Sequence, residues 1–167
     1  WFRNMATVRK GVLTQGTQVW IEHGDSAAPT LTKMDCITSI SLGDDSVSDI
    51  DDTCLEETDT KTSQPGLNTP GEGEITIKTD PLNASHMKLL QLAESRTPVK
   101  VYIGWSDGTT APTLATDTVT LPTTRTFSSF DAVLRVSSPT FEPDSLVEHK
   151  IAMKRQSKVT TIYKLPA

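Results

Sequence analysis

Apolar and polar residues alternate in several short segments of this sequence, and a period of two is the pattern of a half-buried β-strand. The clearest segment is 99–105, in which Val99, Val101, Ile103 and Trp105 recur at every second position. Similar patterns predict strands near 11–13, 18–22, 31–42, 74–79, 126–136, 148–155 and 158–164. The chain also contains 26 threonines, and branching at Cβ favours strands and turns over helix interiors. We therefore expect a mainly β fold.

One segment has the periodicity of a helix. Asp80 can cap a helix that begins at Pro81, and this helix must end at about residue 95, before Pro98. Its apolar face is predicted to comprise Leu82, His86, Leu89, Leu90 and Ala93. Because only one face is apolar, the helix is expected to pack on a sheet.

The length of 167 residues and the mass of 18.2 kDa suit one domain, and no repeat or linker divides the sequence. Residues 1–4 precede Met5, and we expect them to be a cloning remnant. Residues 5–167 are then expected to form a single domain.

An acidic stretch at residues 44–73 interrupts the strand pattern. It carries eight acidic residues before its first base: Asp44, Asp45, Asp49, Asp51, Asp52, Glu56, Glu57 and Asp59. Five prolines and glycines follow between positions 65 and 73, which predicts a long loop without a regular ladder. Loops of this length inside a domain are usually functional or disordered.

Several functional classes are disfavoured by the sequence. There is no apolar run that could span a bilayer and no signal-peptide pattern. The two cysteines, Cys36 and Cys54, are interpreted as reduced thiols of a cytosolic protein. The net charge of −5 argues against capture of a nucleic-acid backbone. No catalytic or cofactor-binding motif is present, so we expect a protein that is not an enzyme and has no cofactor.

Metal binding is weighed against a solvated surface in the acidic stretch. Asp49 and Asp51 have the alternation of an EF-hand loop, but Cys54 stands where that loop requires glycine. The three histidines have no zinc-ligand spacing. A solvated acidic loop is the preferred interpretation, a different calcium geometry is the alternative, and no metal site is predicted.

Three segments in this order resemble a known family. The first is ITSISLG at 37–43, which leads into DIDDTCLE at 49–56 and QPGL at 64–67. The second is the strand at 74–79 followed by Asp80, Pro81 and the short helix. The third is DGT at 107–109, then the strand at 127–136, and FEPDSLV at 141–147 before the final strands. This layout resembles the major tail tube proteins of long-tailed, non-contractile, lambda-like bacteriophages, and the Thr-rich insert between Gly108 and Arg125 is longer than the family's tight turn.

The resemblance implies two packed β-sheets, sandwich-like or barrel-like, with one flanking helix. It also implies hexameric rings that stack head to tail into a tube, with DNA passing through the lumen without specific binding. The expected partners are other copies of the chain, a tape-measure protein and tail-tip proteins, with no membrane. The expected location is the virion, after assembly in the cytoplasm of the bacterial host.

Charge suggests which residues meet between rings, because residues 1–75 are acidic overall and the remainder is basic overall. The eight acidic residues from Asp44 to Asp59 are candidates for the lumen or the ring-stacking face. Their basic stacking partners are predicted to be Lys150, Lys154, Arg155 and Lys158. Two alternatives remain open from the sequence: a β-sandwich binding or adhesion module, and a tube protein of a secretion system.

Overall fold

Twelve β-strands and one α-helix form within residues 11–25 and 27–166, the ranges that this computed structural model describes. The elements are β1 (Gln18–Asp25), β2 (Ala28–Met34), β3 (Ile37–Ser41), β4 (Ser46–Asp51), β5 (Ser63–Thr69), β6 (Glu72–Lys78), α1 (Ala84–Ser95), β7 (Pro98–Gly104), β8 (Thr113–Ala115), β9 (Thr118–Thr120), β10 (Phe127–Val136), β11 (Glu148–Arg155) and β12 (Thr160–Ile162). The expectation for residues 1–4 lies outside these ranges. The predicted mainly β fold with more than one sheet and a single helix is confirmed.

The main sheet contains eight strands in the order β2-β1-β7-β10-β11-β6-β3, and β12 pairs with the start of β10. All of these pairings are antiparallel; Val101 of β7, for example, lies opposite Ile21 of β1 and Phe130 of β10. The strands at the two ends of this order, β2 and β3, are joined by only Asp35 and Cys36. The two edges of the sheet therefore meet at one corner, which requires the sheet to curl around its core.

The core consists of the concave face of this sheet and one face of the helix. Inward residues from β1, β2, β6, β7, β10 and β11 pack with Leu89, Leu92 and Ala93 of α1 in one cluster. Strong twist and closure are what an eight-stranded antiparallel sheet needs to bury one face completely. The helix therefore packs against the concave face of the curved sheet.

The helix begins three residues later than the sequence predicts. Asn83 is the N-cap, and its side chain accepts a hydrogen bond from the backbone N–H of Ser85 at 3.0 Å. Asp80 instead accepts from the N–H of Leu82 in a turn before the helix, at 2.9 Å. Leu82 consequently lies outside the helix and is 94% exposed, so its predicted place on the apolar face is wrong. His86, Leu89 and Ala93 are buried as predicted.

A second apolar cluster covers the opposite face of the main sheet. It contains Trp20, Tyr102 and Phe127, with Val119 and Leu121 packed against it from the Thr-rich insert. The insert forms the two-stranded β8–β9 sheet, so its extra length covers aromatic surface that would otherwise be exposed.

Three predicted segments have a different structure. The segment 31–42 is divided into two strands at Cys36, whose φ of 51° lies in the left-handed region and turns the chain from β2 to β3. The acidic stretch 44–73 is a hydrogen-bonded β-hairpin rather than a loop without a ladder. The short strand predicted at 11–13 does not form.

Candidate assembly surface

The hairpin at residues 44–71, called the arm below, extends the edge of the main sheet. β3 continues through residues 42–45 into β4, and β5 continues through residues 70–71 into β6. Ser41 lies opposite Glu74 in the inner ladder and Ser46 lies opposite Thr69 in the outer ladder. The two ladders therefore form one long ribbon, and every residue of β4 is exposed.

The arm exposes apolar side chains that have no cover within the described residues. Val47 is 51% exposed and Ile50 is 56% exposed, both on β4. Leu67 on β5 is 86% exposed, and Leu55 at the tip is exposed to the full extent of an isolated residue. Complete burial of Leu55 or Leu67 against another surface would contribute about 1.5–3 kcal/mol each, and burial of the half-exposed Val47 and Ile50 would contribute less.

A buried arginine anchors the base of the arm. Arg155, on β11, donates hydrogen bonds to the carbonyl oxygens of Leu42 at 2.7 Å and Gly43 at 3.1 Å, and it forms an ion pair with Asp45. These three acceptors lie where β3 turns into β4. Arg155 therefore fixes the direction in which the arm leaves the body.

Asp45 is the acidic partner at this anchor, and it is held as a carboxylate. The side-chain amide of Asn68 donates to it at 3.0 Å, and the backbone N–H of Gly71 donates at 3.2 Å. The Asn68 hydrogen bond, followed by those of Arg155 and Gly71, lowers the pKa of Asp45 to about 2. Both strands of the arm are thus tied to one carboxyl group.

Glycine and a β-bulge explain why the predicted loop forms a ladder. A Cβ at Gly71 would lie 2.3 Å from the carbonyl oxygen of Asp44, so only glycine permits this close approach of the two strands. The register shifts between Val47 and Asp49, and Pro65 lies opposite Asp49. Bulges and edge strands are the places in a sheet that tolerate proline.

The tip of the arm, residues 52–62, uses several of its acids to hold its own backbone. The Asp51 carboxylate accepts from the N–H of Thr53 at 2.9 Å, and Asp52 accepts from the amide of Gln64 at 2.8 Å. The Glu57 carboxylate accepts from the N–H of Asp59 at 3.0 Å. Hydrogen bonds to Thr53, Thr62 and Asp59 are the leading causes that lower the pKa values of Asp51, Asp52 and Glu57, respectively.

The structure therefore places all eight predicted acidic residues on the arm but divides their roles. Asp45, Asp51, Asp52 and Glu57 hold the arm together through the hydrogen bonds above. Asp44, Asp49, Glu56 and Asp59 are exposed and available to a neighbour. Val47, Ile50 and Leu55 are the aliphatic residues that the sequence shows among these eight acids. Leu67 was not singled out from the sequence, although an aliphatic residue in a polar segment is the signal for it.

The four predicted basic partners differ in their exposure. Lys150 and Lys154 are exposed on β11, opposite Thr76 and Glu72 of β6, and Lys158 is exposed beyond the strand. The assignment of Arg155 as a partner for another subunit is wrong, because this side chain is buried and satisfied by its own chain. A basic residue at an inward strand position can be buried and bonded within its own chain. Its charge alone does not distinguish it from an exposed residue that contacts another subunit.

A groove of about 510 Å³ lies beside the corner at which β2 turns into β3. It is lined by residues 14–19 and 33–40. Lys33, Asp35 and Cys36 are its titratable side chains, and none forms a hydrogen-bonded pair of the kind that acid–base or nucleophilic catalysis uses.

Residues 11–25 and 27–166 hold no group of three or more His, Cys, Asp or Glu side chains that could bind a metal ion. In the same ranges, no helix has both the length and the hydropathy needed to cross a membrane.

Exposed apolar side chains on an anchored arm indicate a surface that contacts other protein chains. Residues 10–165 match the family described as phage tail tube, TTP, lambda-like. The chain belongs to this family of phage structural proteins, which are tail tube subunits and not enzymes, and such subunits are components of the virion.

Individual relatives agree with this assignment. Structural protein 3 of Pseudomonas phage PAJU2 is 32% identical over 148 residues, which cover 86% of this chain and 88% of the relative. The SPP1 tail tube structure has a TM-score of 0.60 at 9% identity, covering 93% of this chain and 81% of that one. The sheath/tube terminator of an extracellular contractile injection system has a TM-score of 0.61 at 10% identity, covering 93% and 99%. At these identities, the two structures show a shared fold.

Proposed function

We propose that this protein forms hexameric rings and that the arm of each subunit contacts the next ring, so that the rings stack head to tail into the tail tube. The observation that carries this proposal is the arm itself. It projects from the body on a fixed base and exposes Val47, Ile50, Leu55 and Leu67. A contact between the arm and a different surface of the next copy produces a filament when successive copies are displaced along one axis, so that the contacts do not close into a ring.

Ring closure is attributed to the edges of the main sheet. Within the described residues, β2 pairs only with β1, and β3 pairs only with β6, so each has an edge of unpaired backbone groups. Such edges invite pairing with another chain, and a closed ring of subunits would satisfy them in a controlled way.

Electrostatics support a stacking role for the arm more than a lumenal one. Asp44, Asp49, Glu56 and Asp59 are exposed on the arm, and Lys150, Lys154 and Lys158 are exposed on the body. Single surface ion pairs contribute only about 0–1 kcal/mol, but a ring would repeat each contact. We propose these lysines as the basic partners of the arm.

The tube is proposed to serve as a conduit for phage DNA. A subunit with a net charge of −5 gives little attraction for a phosphate backbone, which suits passage without specific binding. The proposed partners in the tail are a tape-measure protein in the lumen and tail-tip proteins at one end, with assembly in the cytoplasm of the host.

Electron microscopy of two leucine variants tests the role of the arm. Leu55→Ser removes the fully exposed apolar residue of the tip, and Leu82→Ser removes an equally exposed leucine from the turn before the helix. We expect the wild-type and Leu82→Ser proteins to form tubes of similar length. We expect the Leu55→Ser protein to form short stacks or single rings at the same concentration.

Both variants should unfold at the wild-type temperature, because neither side chain is buried in the subunit. Tubes of normal length from Leu55→Ser would contradict the stacking role of the arm. If Leu55→Ser and Leu82→Ser reduce tube formation to the same extent, the loss would reflect exposed apolar residues in general and would also contradict a specific role of the arm.

A further inference from the structure

The groove lies along β3, and the arm leaves the body at the C-terminal end of the same strand. The groove is lined from Cys36, which immediately precedes β3, to Ile40, and the arm begins after Ser41. The tip of the arm is farther from the groove still, beyond the outer ladder. Displacing a second copy along the direction of β3 therefore brings the arm tip of one copy toward the groove of the next.

The groove has the chemistry of a receptor for an apolar side chain. The half-buried Ile37 and Ile40 contribute apolar surface to it, and threonine, glutamine and Lys33 provide polar groups. Val19 and Met34 also line the groove but are almost completely buried in the core.

The corner of the groove is held rigidly by the helix. The buried His86 donates from Nε2 to the carbonyl oxygen of Asp35 at 2.7 Å, and its Nδ1 accepts from the N–H of Asp80. The hydroxyl of Ser85 accepts from the N–H of Asp35 at 3.1 Å. A preformed site of this kind loses little conformational entropy when it binds.

The arm tip presents an exposed apolar side chain on an ordered backbone. Leu55 presents its whole side chain, and Cys54 beside it is exposed. The Thr53 hydroxyl donates to the carbonyl oxygen of Thr62 and accepts from the N–H of the same residue, which holds the two sides of the tip together. The tip is therefore ordered before it meets a partner.

We propose that residues 53–57 of one copy dock in the groove of residues 14–19 and 33–40 on the copy in the next ring, with Leu55 as the inserted side chain. This inference rests on the proposed stacking function and names its receptor site. It places Cys54 of one subunit close to Cys36 of another. Within one chain the two thiols are both free, and the arm is exposed on both faces rather than folded back on the body.

Thiol cross-linking of assembled tubes tests the docking. A short bismaleimide, which adds to one thiol at each end, should convert wild-type tubes into covalent dimers and longer ladders on a denaturing gel. Mass spectrometry should identify a Cys36–Cys54 adduct between subunits. The variants Cys36→Ser and Cys54→Ser should each lose the ladder, because each removes one of the two thiols that the reagent joins.

A bulky residue in the groove provides a second test. Gln15 is exposed and lines the groove, whereas Gln91 is exposed on α1 and does not line it. We expect Gln15→Trp to lower the yield of the adduct about tenfold through overpacking of the site, and Gln91→Trp to leave it unchanged.

The failures of the two proposals are distinguishable. Tubes that form without a Cys36–Cys54 adduct, or with Cys54–Cys54 adducts in its place, overturn the docking and leave the tail tube function standing. An adduct confined to single chains overturns it as well. Wild-type subunits that do not stack overturn both proposals.

Discussion

At the scale of single residues, two buried arginines connect distant parts of the chain. Arg155 links β11 to the base of the arm, as described above. Arg125 donates to the carbonyl oxygens of Trp105 at 2.6 Å and Gly104 at 3.0 Å, and it lies over the ring of Trp20. A buried guanidinium is tolerated only when its donors are satisfied, and here carbonyl oxygens supply most of the acceptors.

Replacing Arg155 with methionine tests the anchor. Methionine retains an apolar side chain of similar length but leaves the carbonyl groups of Leu42 and Gly43 without their donor. We expect the free energy of unfolding to fall by about 2–4 kcal/mol. Chemical denaturation measures this directly. Lys154→Met, on the exposed side of the same strand, serves as the control and should stay within about 0.5 kcal/mol of the wild type.

The carboxyl group of Asp45 makes the arm sensitive to acid. Its pKa in the folded state is about 2, below its ordinary value of 3.8. Because folding lowers this pKa, the carboxylate stabilises the arm fully above about pH 4, and that stabilisation is lost as the pH falls toward 2. We expect the amide protection of Asn68 and Gly71, measured by NMR hydrogen exchange, to fall over this range.

Asp45→Asn is the control for the acid sensitivity, because it cannot titrate. Its arm should be less protected at neutral pH and should show a smaller change on acidification. A wild-type arm with constant protection from pH 5 to pH 2 would contradict the role of the Asp45 carboxylate.

At the scale of elements, the helix contributes mainly to the core. Leu89 is completely buried among the inward residues of the sheet. Leu89→Ala should lower the free energy of unfolding by about 2–5 kcal/mol, since it removes buried methyl groups and leaves a cavity. Thermal or chemical denaturation measures the loss, and Leu82→Ala, at an exposed leucine of the preceding turn, should change it little. An unchanged melting temperature for Leu89→Ala would exclude the helix from the core.

The arm is an element whose boundaries the sequence could indicate but whose structure it could not. Proline, glycine and eight acids argue for an irregular loop when each residue is considered alone. The hairpin forms because Gly71 allows the strands to approach and a bulge accommodates Pro65. These features depend on the residue across the ladder, which the local sequence does not specify.

At the scale of the whole molecule, stability is expected to differ between the body and the arm. The body buries its sheet against the helix, whereas the arm has only its own ladder and its base. In the free subunit, amides of β4 and β5 should therefore exchange faster than those of β7 and β10. In the tube, neighbouring subunits should protect residues 44–71. Hydrogen exchange with mass spectrometry on both states measures the difference, and equal protection of the arm in the two states would contradict its burial between rings.

The sequence alone determined the mainly β character of the protein, most strand positions, the helix and the position of the acidic stretch that forms the arm. These follow from local periodicity and composition, which fix which residues can share a face of an element. The family resemblance also rests on the order of such local segments. Only the tertiary structure decided that β2 and β3 meet at one corner, that Asn83 caps the helix, and that Arg155 holds the arm instead of a neighbouring subunit. Each of these depends on contacts between residues far apart in the chain, and the burial of a charge or the pairing of an edge is set by those contacts.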